Sequence, residues 1–231
     1  MISRGDACAI ACAETFRGDG GLMVSPMAPI PRLGARLARA TFEPDILLTD
    51  GVATLVDPDG NPEGWMPFSR VFDTLWNGKR HVMMGASQLD RHGNQNISVV
   101  GDWARPRVQL LGVRGAPGNS VCHPTSYFVP RHGPRVFVEA VDMVCGVGTD
   151  RGAHEIRAVV TDLGVFDFRG PDGCMRIRSL HPGVSIDQVR QATGFPVVAE
   201  GEVPQTRAPT PEESRWLDRL DPGRTIRGTV E

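Results

Sequence analysis

Apolar positions along this chain fall into short uninterrupted runs, as buried strands require, and into segments where they recur at helical spacing. Near the start, Cys8, Ile10, Ala11 and Cys12 form the apolar part of a helix that Asp6 can cap, running to about Phe16 with Gly18 as its stop. A second helix fits residues 31–40, with Leu33 and Leu37 on one face and Arg32, Arg36 and Arg39 on a solvated one. The apolar runs 46–48 and 52–56 are broken by Thr49-Asp50-Gly51, which reads as a buried strand ending in a polar turn, a candidate site. Ser69 can cap a helix over 70–76, stopped by Asn77-Gly78, and strand-like runs follow at 82–84, 97–100 and 108–113. Residues 114–134, rich in Gly and Pro, read as one long loop; strand-like runs return at 136–141, 156–161 and 165–168.

Two capping boxes mark the last helices. Ser185 with Gln188 opens one that runs to Thr193 before Gly194, and Thr210 with Pro211 and Glu213 opens one carrying Trp216, Leu217 and Leu220 on one side. The polar stretch 200–209 between them reads as a linker to a C-terminal helix that packs on the body or on a partner. Strands alternating with short helices give an α/β fold with an open, mostly parallel or mixed sheet flanked by helices. One domain spans 1–200, and 201–231 holds the linker and last helix.

Composition narrows the class. With 231 residues, 40% hydrophobic and 23% charged, the chain suits one large globular domain. A net charge of -2, with Lys and Arg scattered, offers no basic face for nucleic acid. Five cysteines without CxxC spacing signal neither a disulfide framework nor a zinc site and fit reduced thiols in cytoplasm. Asp6 and Glu14 interrupt the apolar start, unlike a signal peptide, and no apolar run nears the roughly 18 residues of a membrane span. The expectation is a soluble, unprocessed protein with many structured loops, since Gly (27) and Pro (19) are abundant.

Three motifs carry candidate chemistry, each with a plain alternative. Gly85 to Gly101 (GASQLDRHGNQNISVVG) runs from a strand into a turn holding Asp90, Gly93, Asn94 and Asn96, residues that satisfy turn backbone without any further role. Gly112 to Ser120 (GVRGAPGNS) is a glycine-bearing loop whose N–H groups can approach a phosphate or oxyanion; it is neither GxGxxG nor a P-loop, and a plain loop is the even alternative. VTDLGVFDF and LHPGVSIDQVRQATGF read as core strands and a capped helix. Six histidines show no HExxH, and there is no GxSxG elbow or catalytic Cys signature, so metal, serine or thiol hydrolysis is not supported.

Taken in order, these motifs resemble the β subunits of family I CoA-transferases, specifically the glutaconate-CoA-transferase-like branch. The shared pattern is GAxQxDxxGNxN (Gly85 to Asn96), a Gly-Gly-Ala type loop (Arg114-Gly115-Ala116), FVExVD (Phe137 to Asp142), VTDLxVFDF and HPGVxxxxVxxATGF, over about 46–195. The segments CAETFRGDGGLMVSPM, LGARLARATFEPDILLTDG, EGWMPFSRVF and RGAPGN further resemble the β subunits of the steroid ring-cleaving CoA hydrolases of bacterial cholesterol breakdown. That resemblance implies opening of the last steroid-derived ring as a CoA thioester, by water attack on a β-keto carbonyl in a retro-Claisen step. It also implies a homologous α subunit, in a heterodimer or α2β2 heterotetramer with the active site between subunits. CoA enters only as part of the substrate, with no other cofactor and no metal.

One departure decides the chemistry. Thr49-Asp50-Gly51 stands where the transferases put Ser-Glu-x-Gly, whose Glu attacks the thioester. Asp50 is one methylene shorter, and a carboxylate withdrawn by about 1.5 Å loses near-attack geometry. In the hydrolases the chain resembles, the general base is a glutamate of the other subunit. The resemblance then leaves to this chain a catalytic backbone donor at Gly115, a role for Asp50 shared between turn and substrate, and a binding set of Thr49, Gly51, Gln88, Asn94, Asn96, Arg114, Ala116, Gly118 and Asn119. Arg114, where the family has Gly, can pair with a substrate carboxylate or a CoA phosphate, or face solvent. The rival readings are a glutaconate-type CoA-transferase using Asp50 and a non-catalytic subunit that stabilises or regulates its partner.

Overall fold

The computed structural model describes residues 2–230, apart from the side chains of Phe68, Phe72 and Leu75. Its strands are β1 (Met23–Pro26), β2 (Leu47–Leu48), β3 (Thr54–Val56), β4 (Pro62–Trp65), β5 (Arg80–Met84), β6 (Gln88–Leu89), β7 (Gln95–Asn96), β8 (Val99–Val100), β9 (Val108–Gln109), β10 (Pro124–Val129), β11 (Glu155–Thr161), β12 (Gly164–Asp167) and β13 (Arg176–Leu180). Helices are α1 (Arg4–Thr15), α2 (Pro29–Thr41), α3 (Phe68–Trp76), α4 (Ala116–Cys122), α5 (Ile186–Gln191) and α6 (Pro211–Leu220).

Seven strands form one sheet in the order β13-β12-β11-β10-β5-β1-β2. The run from β11 to β2 is parallel, whereas β12 is antiparallel to both its neighbours. Alternation along each strand sends Met83, Phe128, Ala158 and Val160 to one face and Val82, Met84, Tyr127, Val129 and Val159 to the other. The first face is covered by α1, α2 and α6, and the second takes Ala116 of α4 and Val189 of α5. Burial on both faces explains why these strands read as continuous apolar runs. The mostly parallel sheet flanked by helices is the architecture expected from the sequence.

On the first face, Gly34 of α2 lies against α1: a Cβ there would stand 2.6 Å from Cys12 Cβ and 2.9 Å from the Ala9 carbonyl oxygen. The C-terminal segment closes over the same layer. α6 packs on α2, and Arg227 Nη1 reaches Asp6 Oδ1 of α1 at 2.9 Å.

Several local expectations are corrected. Ser3, not Asp6, caps α1; Asp6 is the third helical residue and completes a capping box, with the Asp6 N–H donating to Ser3 Oγ at 3.1 Å. The long loop of 114–134 contains α4 and the central strand β10, whose flanking prolines, Pro124 and Pro130, hid it. Residues 136–141 form no strand: Phe137 makes a single bridge to Leu89, and its ring stacks on His132 at 3.8 Å. Of 108–113 only Val108–Gln109 pairs, with Val99–Val100, because the chain then turns into a cleft wall. β3 pairs with β4 in a hairpin outside the main sheet. β1 and β13 had not been expected. The stretch read as a linker runs beside β13, the Thr206 N–H donating to the Leu180 carbonyl at 2.7 Å. Both later capping boxes form as expected.

Candidate active site

The chain steps from β1 outward to β2 and returns past β1 to β5, so the strand order reverses between β1 and β5. Parallel strands leave a crevice beyond their carboxyl ends at such a reversal, where no helix crosses. Here it is a cleft of about 1100 Å³, walled by the segments that follow β1, β2 and β5, by the chain after β9 and by the start of α4.

A buried polar chain runs beneath it. Thr49 Oγ1, at the end of β2, donates to Ser25 Oγ of β1 at 3.2 Å. Arg80 of β5 donates through Nε to the same Ser25 Oγ at 3.0 Å and through Nη1 to Asn119 Oδ1 of α4 at 3.2 Å. The Asn119 N–H then donates to the Gly115 carbonyl at 2.9 Å. Four elements are thus cross-braced where the cleft opens. Burial lowers the Arg80 pKa to about 10.

Among the residues expected at a site, Asp50, Gly51, Arg114, Gly115, Ala116 and Asn119 line this cleft together. Asp50 Oδ1 accepts the N–H groups of Val52 at 2.8 Å and Thr54 at 3.3 Å, so one carboxylate oxygen braces the turn. Gly51 has φ +94°, and a Cβ there would stand 2.7 Å from the Pro26 carbonyl oxygen, which leaves room for glycine alone. Arg114 has φ +49°, a left-handed conformation unusual for a residue with a side chain. It directs the chain into α4 with Gly115 as N-cap. The Ala116 N–H is taken by the Val113 carbonyl at 3.0 Å, whereas no acceptor for the Gly115 N–H is found among the described residues.

The other expected residues lie in the scaffold. Thr49 is wholly buried below the cleft. Gln88 holds Asp142 and Asn96, its Oε1 accepting from Asn96 Nδ2 at 2.7 Å, and Asn94 donates to Asp90 and Asp150, each at 2.9 Å. These bonds tie the β6–β7 hairpin to residues 142–150, so Gln88, Asn94 and Asn96 do not line the cleft, and neither does Gly118 on α4. Their side-chain hydrogen-bonding capacity is spent on turn and loop, the plain alternative for this motif. Conversely, Ser25, Arg80 and Gln95 were not anticipated. Arg80 does carry one signal, a charge at the head of the apolar run HVMM.

A second polar cluster imitates a catalytic triad. His81 Nδ1 lies 2.5 Å from Asp19 Oδ2 and His81 Nε2 lies 2.9 Å from Ser126 Oγ, while Arg157 Nη1 donates to Asp19 Oδ1 at 2.6 Å. Asp19, His81 and Ser126 have no solvent exposure, so no substrate reaches the hydroxyl. Burial lowers the His81 pKa and keeps the ring neutral. This cluster joins the turn after α1 to β5, β10 and β11.

Among the described residues, no group of His, Cys, Asp and Glu is placed to hold a metal ion, and no helix is long and apolar enough to cross a membrane. Large apolar side chains stand exposed on the cleft itself: Met27 at 44%, Val52 at 54% and Leu111 at 82%.

No family model matches the chain. It is 53% identical over 244 residues to the IpdB subunit of the cholesterol ring-cleaving hydrolase of Mycobacterium tuberculosis, covering 98% of each chain. The crystal structure of IpdAB from Rhodococcus jostii matches with a TM-score of 0.95 at 49% identity, covering 100% of this chain and 99% of that one. A more distant relative, the second of the two 3-oxoadipate CoA-transferase polypeptides of Pseudomonas knackmussii, is 29% identical over 217 residues, 83% of this chain and 84% of that protein. The likeness to CoA-transferase β subunits read from the motifs is therefore met. With about half of its residues identical over nearly the whole of both chains, this protein belongs to the family of IpdB subunits of cholesterol ring-cleaving hydrolases.

Proposed function

We propose that this chain is the β subunit of a two-subunit hydrolase that opens a steroid-derived cyclic β-keto acyl-CoA by retro-Claisen cleavage in cholesterol breakdown. Water adds to the ring ketone carbon. The bond from that carbon to the α-carbon of the thioester then breaks, leaving a carboxylate and a thioester enolate that takes up a proton at the α-carbon. The observation that carries this reading is the cleft, which presents three arginines, Arg32, Arg80 and Arg114, against the single carboxylate of Asp50. Such a lining favours a polyanionic ligand such as a CoA thioester and builds no strong general base.

The base then belongs to a homologous partner subunit, as a glutamate, and the exposed Met27, Val52 and Leu111 support a partner closing the cleft. A heterodimer or α2β2 heterotetramer is part of the reading. In it the Gly115 N–H faces the developing oxyanion and Arg114 pairs with a carboxylate or a CoA phosphate. A cytoplasmic location is also part of the reading, supported by five unpaired cysteines.

The test is co-expression with the α subunit encoded beside it, followed by an assay for loss of a cyclic β-keto acyl-CoA. Ring opening with one water taken up, and none by either subunit alone, is expected. Turnover that requires an acceptor acid and exchanges CoA, with a hydroxylamine-trapped acyl group on Asp50, would replace the hydrolase by a transferase.

A further inference from the structure

Arg80 is a cation without a counter-ion. It is 4% exposed, and no carboxylate among the described residues pairs with it. The molecule contains its own control. Arg227, 3% exposed, is surrounded by Asp6, Asp218 and Asp221 at 2.9, 3.1 and 3.2 Å, the arrangement a structural buried arginine requires. Arg80 has only the neutral oxygens of Ser25 and Asn119, so of its five N–H groups three remain without an acceptor among the described residues. A guanidinium kept out of water in this state destabilises the fold, and it lies at the cleft, where a ligand can complete it.

We propose that Arg80, held by Ser25 and Asn119, is a buried anion subsite that binds a carboxylate on the acyl part of the substrate and so sets acyl specificity. A planar carboxylate matches the guanidinium fork in two parallel hydrogen bonds. Depth separates this subsite from the CoA phosphates: Arg32 and Arg114, which also line the cleft, are exposed, whereas Arg80 lies under its floor beside Met84 and Asn119. The inference rests on the acyl-CoA reading above and adds to it a second ionised group on the ligand.

The experiment uses the complex with the α subunit and a pair of thioesters of equal chain length, glutaryl-CoA and pentanoyl-CoA, which differ in one terminal carboxylate. Binding is measured by calorimetry on wild type, Arg80→Met and Arg80→Lys. Wild type should prefer glutaryl-CoA by about 100-fold, the scale of a buried charge-assisted pair. Arg80→Met should erase that preference and leave pentanoyl-CoA binding unchanged. Arg80→Lys, which keeps the charge without the fork, should retain a preference of about 10-fold and covers the case in which the Met variant fails to fold.

Ligand-free Arg80→Met should melt no lower than wild type, unlike Arg227→Met, because it removes an uncompensated charge. Equal weakening of both thioesters would place a phosphate on Arg80 and overturn the proposal, as would an undiscriminating wild type or an Arg80→Met complex that binds normally. The readout is binding, so a complex that lacks ring-opening activity yet shows the Arg80-dependent preference would reject the hydrolase and leave the subsite standing.

Discussion

Asp50 is committed on one side and open on the other. Oδ1 is fixed by the Val52 and Thr54 N–H groups, and the side chain still lines the cleft. An asparagine oxygen can accept the same two bonds, so Asp50→Asn separates charge from architecture. If the base is the partner's, Asp50→Asn should keep ring-opening kcat within about threefold, because no transition-state contact is lost. Asp50→Ala, which releases both N–H groups, should cost about 1–2 kcal/mol in denaturant unfolding. A drop in kcat of more than about 100-fold in a stable Asp50→Asn complex would return this carboxylate to the reacting atoms. Arg114 makes a complementary point. A left-handed residue with a side chain costs roughly 1–2 kcal/mol, and this one sits on the cleft wall where the resemblance puts glycine.

Helices α1 and α2 approach each other through Gly34, which the backbone of α1 covers. Because the nearest atoms include main-chain Ala13 N and Ala9 O, no rotamer change can relieve a new methyl group. Gly34→Ala should therefore push the helices apart and lower unfolding free energy by about 1–3 kcal/mol, despite the better helix propensity of alanine. Equal denaturant midpoints for variant and wild type would show that this layer yields. The contrast between elements marks what a sequence discloses. The boxes at Ser185 and Thr210 were legible because cap and partner lie three residues apart. β10 was not legible, since Pro124 and Pro130 and a Gly-rich approach masked a strand whose neighbours, β5 and β11, are set by tertiary pairing. The site divides the same way. Asp50, Arg114 and Gly115 follow from local motifs, whereas Arg80 and Ser25 become interesting only when β1, β5 and α4 meet.

At the scale of the molecule, four histidines are packed as neutral rings in different places, and this sets how the fold answers acid. Burial lowers His81, brings His123 and His181 to about 4 and His132 to about 3. A histidine whose folded pKa lies below its unfolded value of about 6.5 binds protons preferentially in the unfolded chain, so its contribution to stability is complete above that value and is withdrawn as pH falls toward the folded pKa. At pH 5 the linkage withdraws about 2 kcal/mol for each of His123 and His181, against a total of roughly 5–15 kcal/mol for a domain. Carboxylates do not contribute in that window. The ion pairs of Glu14 with Arg17 and Arg207 hold its pKa down to about 2, so their contribution persists until pH falls below the usual carboxylate range. The unfolding free energy should then be flat from pH 8 to about 7, fall steadily between about 6.5 and 4 with the histidines, and fall again below about 4 with the acids. Urea unfolding across this range reads both steps. A profile level down to pH 5 would mean that these rings accept protons inside the fold, and would contradict the sealed Asp19–His81–Ser126 cluster on which β5 and β10 are braced.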